Sequence, residues 1–378
     1  MQADPNKKNM ERMEERVVDA DEQQLQQMLT DSPWEHQAVI DQVALEADQW
    51  LGGHRKSCLL IDESGFKKAG RHSVGVARQW CGRLGKVDNC QVGVFAALGR
   101  DRRVTLVDER LYLPETWCDD PKRCEQAGIP EVQRVFKTKV ALALEMVAHQ
   151  RRIGVRFSWV GADGFYGNDP AFLRGVAAMG EVFVADVHCN QLIFLEDPKP
   201  TVKQKKGKRG RNPIKLEANA PSLRVDQWQA DQPAEAWQRV KVRDSTRGEL
   251  EVEVLHRRVW LWDNEETAAH CWHLLVRREV NAPEEIKYTL SNAPAETSVK
   301  RLAELQAQRY WVERAFQDGK SECGMADYQV RKWSAWHHHM ALVFMAMLFM
   351  LEERVRAADV HPLLSCSDIE ELLKQFLP

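Results

Sequence analysis

The stretch SCLLIDESGF (57–66) is a short apolar run that ends in acids. A run of this length suits a buried strand that carries its last side chains out to a sheet edge. Working outward, RFSWVGADGFYG (156–167) repeats the arrangement, with apolar residues, then Asp163, then a glycine turn. Between them CQVGVFAALG (90–99) and RRVTLVDERLYL (102–113) read as two more strands, joined at Gly99-Arg100-Asp101. A helix is predicted over 137–151 from the spacing of Val140, Leu144 and Val147, another over 170–179, and a strand over EVFVADV (181–187). Upstream, residues 10–51 have a helical pattern, interrupted at Asp31-Ser32-Pro33 by a cap and first-turn signal.

The texture changes over 190–291, where WQRVKVRD, ELEVEVLHRRVWLW and CWHLLVRRE alternate with period two and are rich in Val and Trp. That pattern predicts a mainly antiparallel sheet. From residue 295 the chain reads as helical to its end. Strands and helices alternate, a β-rich block intervenes, and helices return, as in an α/β core with an insertion.

At 378 residues and 44% hydrophobic content, the chain can bury a full core as one large domain with an insertion or as two to three smaller ones. Its nine cysteines form no C-x-x-C pair, so neither a disulfide framework nor a structural zinc site is indicated. MQADPNKKNMERMEERV is polar, not a signal segment. The apolar run 340–351 falls short of the roughly 20 residues that span a bilayer, so a buried core helix, no membrane partner and a cytoplasmic location are expected. The net charge of −3 argues weakly against nucleic acid. Its distribution argues the other way. Lys203, Lys205, Lys206, Lys208, Arg209, Arg211 and Lys215 form one dense run, either a solvated loop or a loop that binds phosphates.

Asp62 and Asp163 each stand at the polar end of an apolar run, where a rigid sheet can fix a functional carboxylate. A turn cap or a surface charge would look the same. Two carboxylates brought together repel and need a cation, and hard oxygen ligands select Mg²⁺ or Mn²⁺. In AELQAQRYWVERAFQDGKSECG, Arg309, Glu313 and Lys320 are spaced by four and seven. On one continuous helix they fall within about 40° of each other. Spacing alone also allows an exposed salt-bridged face, but Phe316 and Val312 border the stripe. A carboxylate framed by two cations suits a site that holds metal and phosphate together.

These residues carry a resemblance. The blocks IDESGFKKAGRHSVGVARQ (61–79), GKVDNCQVGVF (85–95), LYLPETWCDDPKRCEQAGIP (111–130), FKTKVALALEM (136–146), WVGADGFYG (159–167) and RYWVERAFQDGKSECGMADYQVRKWSAWHHH (309–339) resemble bacterial insertion-sequence transposases of the DDE superfamily, in the branch with a long β insertion before the glutamate. The resemblance implies a ribonuclease-H-like fold with catalytic, metal-holding Asp62, Asp163 and Glu313, and an R-x3-E-x6-K signature on Arg309, Glu313 and Lys320. It implies a helical N-terminal segment (1–52), a catalytic core in two parts (53–189 and 296–378), and a β-rich insertion (190–295). The tyrosine often found three residues before the arginine, thought to bind a transposon-end phosphate, is Gln306 here. PNKKNMERMEERV resembles a segment that lies well inside related chains, which implies that this chain lacks an upstream DNA-recognition part.

The implied activity is cutting transposon ends and joining the freed 3′-hydroxyl to target DNA. Two metal ions about 4 Å apart would serve an in-line displacement. The implied partners are double-stranded DNA and a second copy of the chain on that DNA, close to the nucleoid. Arg309 and Lys320 would neutralise phosphate oxygens, and Arg331 is a further candidate for a DNA phosphate. Trp260, Trp262 and Trp272, on the strand-like segments of the insertion, are candidates for stacking on an exposed base, or else core residues; alternation would give Trp260 and Trp262 one face. Consecutive His337, His338 and His339 point in different directions on a helix and cannot share an ion. Glu63 should point away from Asp62. A nuclease without strand transfer and an inactive DNA-binding relic are the alternative readings.

Overall fold

The computed structural model describes residues 21–203, 214–245, 248–327 and 329–376. Residues 10–20 of the expected N-terminal helix lie outside the described residues, as do Lys205, Lys206, Lys208, Arg209 and Arg211 of the basic run. The chain divides into two compact units, residues 1–158 with 310–378, and residues 159–309.

The first unit has four strands, β1 (Cys58–Lys67), β2 (Ala77–Cys81), β3 (Lys86–Arg100) and β4 (Arg103–Leu111). β1 pairs antiparallel with β3 along its whole length, from Cys58 opposite Gly99 to Lys67 opposite Cys90. The other edge of β3 takes β2 and β4, again antiparallel. Within this unit β1 is therefore apolar because helices cover both of its faces.

Pairing decides which side chains share a face. Asp62 and Glu109 both lie opposite Phe95. The Phe95 ring meets Phe316 and Phe344 edge-on, at 5.5 and 6.5 Å between centroids. That face is the one covered by the helices Tyr310–Ser321 and Trp333–Arg356. Glu63 and Asp108 point the other way, toward the helix Lys139–Ile153, where Lys139 Nζ lies 2.7 Å from Glu63 and Gln150 donates to Asp108 at 3.1 Å.

Trp333–Arg356 is long and apolar enough to cross a membrane, but 67% of its most apolar window is buried in the protein. Trp336, Met340, Val343, Phe344, Met347 and Leu351 recur at helical spacing and are buried. Each such side chain stabilises the fold by about 1.5–3 kcal/mol. The three histidines divide as their helical positions require. His337 bonds to buried Glu109, which also accepts from Trp336 Nε1 at 2.9 Å. The ring nitrogens of His338 lie 2.7 and 3.0 Å from the carbonyl oxygens of Leu29 and Trp34. These contacts hold residues 31–35 between the helices Glu22–Thr30 and His36–Leu51, so the second helix starts beyond Pro33, with Glu35 as its cap.

The second unit opens with β5 (Trp159–Ala162), parallel to β6 (Phe183–Val187) and joined to it through the helices Gly164–Gly167 and Pro170–Ala178. There follow β7 (Leu192–Phe194), the small pair β8 (Thr201–Val202) and β9 (Leu216–Glu217), then β10 (Ser222–Arg224), β11 (Gln238–Ser245), β12 (Gly248–Leu261), β13 (His270–Glu279) and β14 (Ile286–Ser291). Within this unit the order is β10-β7-β12-β13-β14-β6-β5, with β11 also on β12. All its pairs except β5–β6 are antiparallel. The β-rich segment is antiparallel, as its alternation predicts, and β14 joins it to the core strand β6. The helix Val299–Gln308 buries Leu302, Ala303 and Ala307 against Val252, Val254 and Leu275. The chain is a mixed α/β protein.

Candidate active site

Asp62, Glu313 and Lys320 fall in the first unit, and Asp163 and Arg309 in the second. In the first unit, Asp62 is half-buried and its Oδ1 accepts from the Glu63 backbone N–H at 2.7 Å. On the same face, one pleat apart at each step, stand Ser64 and Phe66. The helix Tyr310–Ser321 crosses that face with Val312, Ala315 and Phe316 turned inward and buried, and with Glu313 exposed in its first turn. Lys320 lies seven residues on from Glu313, on the same stripe. Its Nζ sits 5.7 Å from the Phe66 ring centre and 5.4 Å from that of Phe316. Asp62, Lys320 and the glutamate helix thus belong to one face of one sheet.

In the second unit, Asp163 follows β5 and caps the helix Gly164–Gly167, its Oδ1 accepting from Phe165 N at 3.0 Å and Tyr166 N at 3.4 Å. Gly167 allows the close seat of that helix, because a Cβ there would lie 1.9 Å from the Asp186 carbonyl oxygen. Asp186, near the end of β6, is a functional candidate that the sequence reading left out. Its carboxylate accepts from Arg309 Nε at 2.8 Å, Thr289 Oγ1 at 2.8 Å and Gln306 Nε2 at 3.2 Å. Gln306 is buried and also accepts from Arg277 Nη1 at 2.6 Å. Its side chain serves this network. The signal for Asp186 was available, because FVAD closes an apolar run as LLID does.

The electrostatics of Asp163 follow from this crowding. Burial raises its pKa above the ordinary carboxylate value. Arg309 and the two N–H donors oppose the rise, and the neighbouring Asp186 charge adds to it. Among the described residues, the Oδ2 oxygen of Asp163 takes no hydrogen bond. A half-buried carboxylate beside a second carboxylate, with one oxygen unspent, suits a hard divalent cation. Among the described residues, no three His, Cys, Asp or Glu side chains form a ready-made metal cluster.

Arg309, the first of the three residues spaced by four and seven, keeps helical backbone angles of φ −56° and ψ −32°. The helix Val299–Gln308 ends before Arg309, and a second helix starts at Tyr310. Arg309 stands between them, with its guanidinium on Asp186.

The three tryptophans also separate. β12 ends at Leu261, so alternation does not extend to Trp262. Trp260 lies opposite Cys271 and Phe194, whereas Trp272 lies opposite Val259 on the other face. Trp262 and Trp272 together line a cavity of about 400 Å³, with Asn168, Arg174, His188 and His270. His270 stacks on Trp272 at 5.0 Å between centroids. The cavity begins directly behind the helix capped by Asp163, since Gly167 and Asn168 line it. Of the basic run, Lys203 forms an ion pair with Glu217 and Lys215 is exposed. Arg331 is exposed in the segment before Trp333–Arg356.

A family model described as DDE superfamily endonuclease matches residues 1–249, a stretch that includes Asp62 and Asp163 and ends before Glu313. The chain is also similar to a probable transposase for insertion sequence element IS701 from Microchaete diplosiphon, with 32% identity over 158 residues. That match covers 40% of this chain and 37% of the relative, so the chain spans little more than a third of that protein's length.

Proposed function

Since the chain belongs to the DDE superfamily endonucleases, we propose that it is an insertion-sequence transposase that cuts transposon ends and joins their 3′-hydroxyls to target DNA. The observation that carries this reading is Asp163, a half-buried carboxylate whose pKa is raised by burial, beside Asp186, with one oxygen that takes no hydrogen bond among the described residues. Asp62, Asp163 and Glu313 would hold divalent metal ions, Mg²⁺ or Mn²⁺. A bound ion of this kind supplies Lewis-acid stabilisation to the attacking and leaving oxygens of a phosphodiester.

The chain's own residues do the rest. The N–H groups of Phe165 and Tyr166 fix the Asp163 carboxylate. Asp186, held by Thr289 and Gln306, fixes the Arg309 guanidinium. Arg309 and Lys320 place positive charge where phosphate oxygens gain charge. Water attacks first and frees a 3′-hydroxyl, which then attacks a second phosphodiester. The fold we assign is a ribonuclease-H-like core with an inserted, mainly antiparallel β segment over 190–295. Antiparallel β1, β3 and β4 followed by a helix, and parallel β5 and β6 joined through helices, support it. The working form is a dimer on double-stranded DNA. The reading is tested with labelled transposon ends and Mg²⁺ or Mn²⁺. Cleaved ends joined to target DNA are expected; cleaved ends that never join would indicate a nuclease alone.

Two further outcomes are expected. The cavity of Trp262 and Trp272 is the place for an unstacked base, worth about 1–3 kcal/mol on an aromatic face. Trp262→Ala should spare first-strand nicking and slow the second step by about 10-fold or more on a pre-nicked end. Trp260→Ala should leave the ratio of the two steps unchanged. Equal loss of both steps, or of neither, in Trp260, Trp262 and Trp272 variants removes the stacking role. For the basic run, replacing Lys205, Lys206, Lys208, Arg209 and Arg211 with Ala should weaken duplex binding and flatten its salt dependence. An unchanged salt slope would leave the run a solvated loop.

A further inference from the structure

The block LYLPETWCDDPKRCEQAGIP (111–130) supplies no residue to the carboxylate chemistry. In the fold it builds a cavity of about 260 Å³, lined by His72, Trp117, Arg123, Gln126, Arg331 and Lys332. Three segments of the first unit meet there: the loop after β1, the helices Glu115–Cys118 and Pro121–Gln126, and the segment before Trp333–Arg356. Backbone bonds fix them together, from Val74 N to Arg331 O at 2.9 Å and from Trp333 N to Ala127 O at 2.8 Å.

Arg123 is held in place. Its guanidinium lies 3.7 Å over the Trp117 ring, and its Nη2 donates to the carbonyls of Arg71 at 2.9 Å and Val76 at 3.3 Å. Its Nε and Nη1 take no hydrogen bond among the described residues. Arg331 is exposed, and its side chain takes no ion pair among the described residues. Lys332 is paired with Asp31 at 2.7 Å. Among the described residues, no carboxylate lines the cavity; that of Asp120 is engaged as the cap of the Arg123 helix, at 3.0 Å from Arg123 N.

The choice of ligand follows from what is exposed. Trp117 is 1% exposed and its ring is covered by Arg123, so it offers no platform to a base. The cavity presents the separate Nε and Nη1 donors of Arg123, whose Nη2 is spent on two carbonyls, with a second guanidinium and an imidazole. That set recognises a phosphate. We propose that this cavity binds a backbone phosphate of DNA at a distance from the carboxylate centre. The proposal rests on the DNA-acting reading above. β1 runs five residues from Asp62 to Lys67 before the loop begins, about 16 Å at the usual strand rise. A phosphate held there sets the register of the duplex without touching the reacting atoms.

The test uses the full chain, a fluorescent duplex and salt titration by anisotropy. Arg331→Ala and Arg123→Gln should each reduce the magnitude of the slope of log K against log salt by about 1. Lys122→Ala, an exposed lysine on the same helix but outside the cavity, should leave the slope unchanged. Arg123 also holds the loop, so Arg331→Ala, which keeps the backbone bond to Val74, is the variant that decides if Arg123→Gln unfolds. A native slope in Arg331→Ala, with duplex binding intact in the unaltered chain, overturns the phosphate site alone. No duplex binding by the unaltered chain overturns both this site and the DNA-acting reading. Inorganic phosphate alone separates the other source. If it raises the melting temperature of the unaltered chain but not of Arg331→Ala, while the duplex slope stays native, the ligand is a free phosphate and the backbone contact is refuted.

Discussion

Asp62→Ala, Asp163→Asn and Glu313→Ala are each expected to abolish strand cleavage, by at least about 10²-fold if loss of one charge-stabilising group sets the floor. Asp163→Asn carries a second, opposite expectation. Burial and the neighbouring Asp186 raise the Asp163 pKa in the folded state. An acid with a raised folded pKa makes ionisation cost stability; the cost is absent below its unfolded value and complete above its folded one. The amide removes that cost, and its oxygen can still cap Phe165 and Tyr166. At neutral pH the inactive variant should therefore melt higher than the unaltered chain, and the gain should fade as the pH falls toward the ordinary carboxylate range. Nicking of a supercoiled plasmid with Mg²⁺ supplied, run beside thermal melts across pH, reads both effects. Full nicking by any of the three variants removes that residue from the site.

Glu109→Ala should be the most damaging single change to the first unit. Glu109 is 1% exposed and bonds to both His337 and Trp336 of the core helix. Removing the carboxylate leaves the His337 ring and the Trp336 N–H buried without their acceptor, a cost of about 1–3 kcal/mol for each. For a body of this size that lowers the melting temperature by about 10 °C. Burial alone would raise the Glu109 pKa, but His337 and Trp336 outweigh it and hold it below the ordinary value of 4.5. A depressed acid contributes stability that is complete above its unfolded pKa and is lost as pH falls through the folded one. The gap between the variant and the unaltered chain should thus be full at neutral pH and shrink below about pH 4.5. A melting temperature within about 1 °C of the unaltered chain at pH 7 would contradict the role assigned to this buried carboxylate.

The sequence by itself determined the elements whose periodicity is local. The runs ending in Asp62 and Asp186 are strands, the spacing of Val140 and Val147 is a helix, and period-two alternation over 238–291 is an antiparallel sheet. These follow from chemistry along a few residues, and the chain displays them whatever it packs against. Family membership was legible in the same way, because ordered motif blocks are a property of the chain. Tertiary structure alone decided what lies across the chain from what. Asp186, distant from Arg309 in sequence, draws its guanidinium to β6. Trp262 and Trp272 share a cavity because β12 stops at Leu261, one residue before alternation would have turned Trp262 away. Glu109 reads as one more acid on a polar strand, and only the helix laid over it makes it a buried partner of His337. Hydrophobic period is written residue by residue, whereas a carboxylate's partner, burial and pKa are set by side chains that may be a hundred residues away.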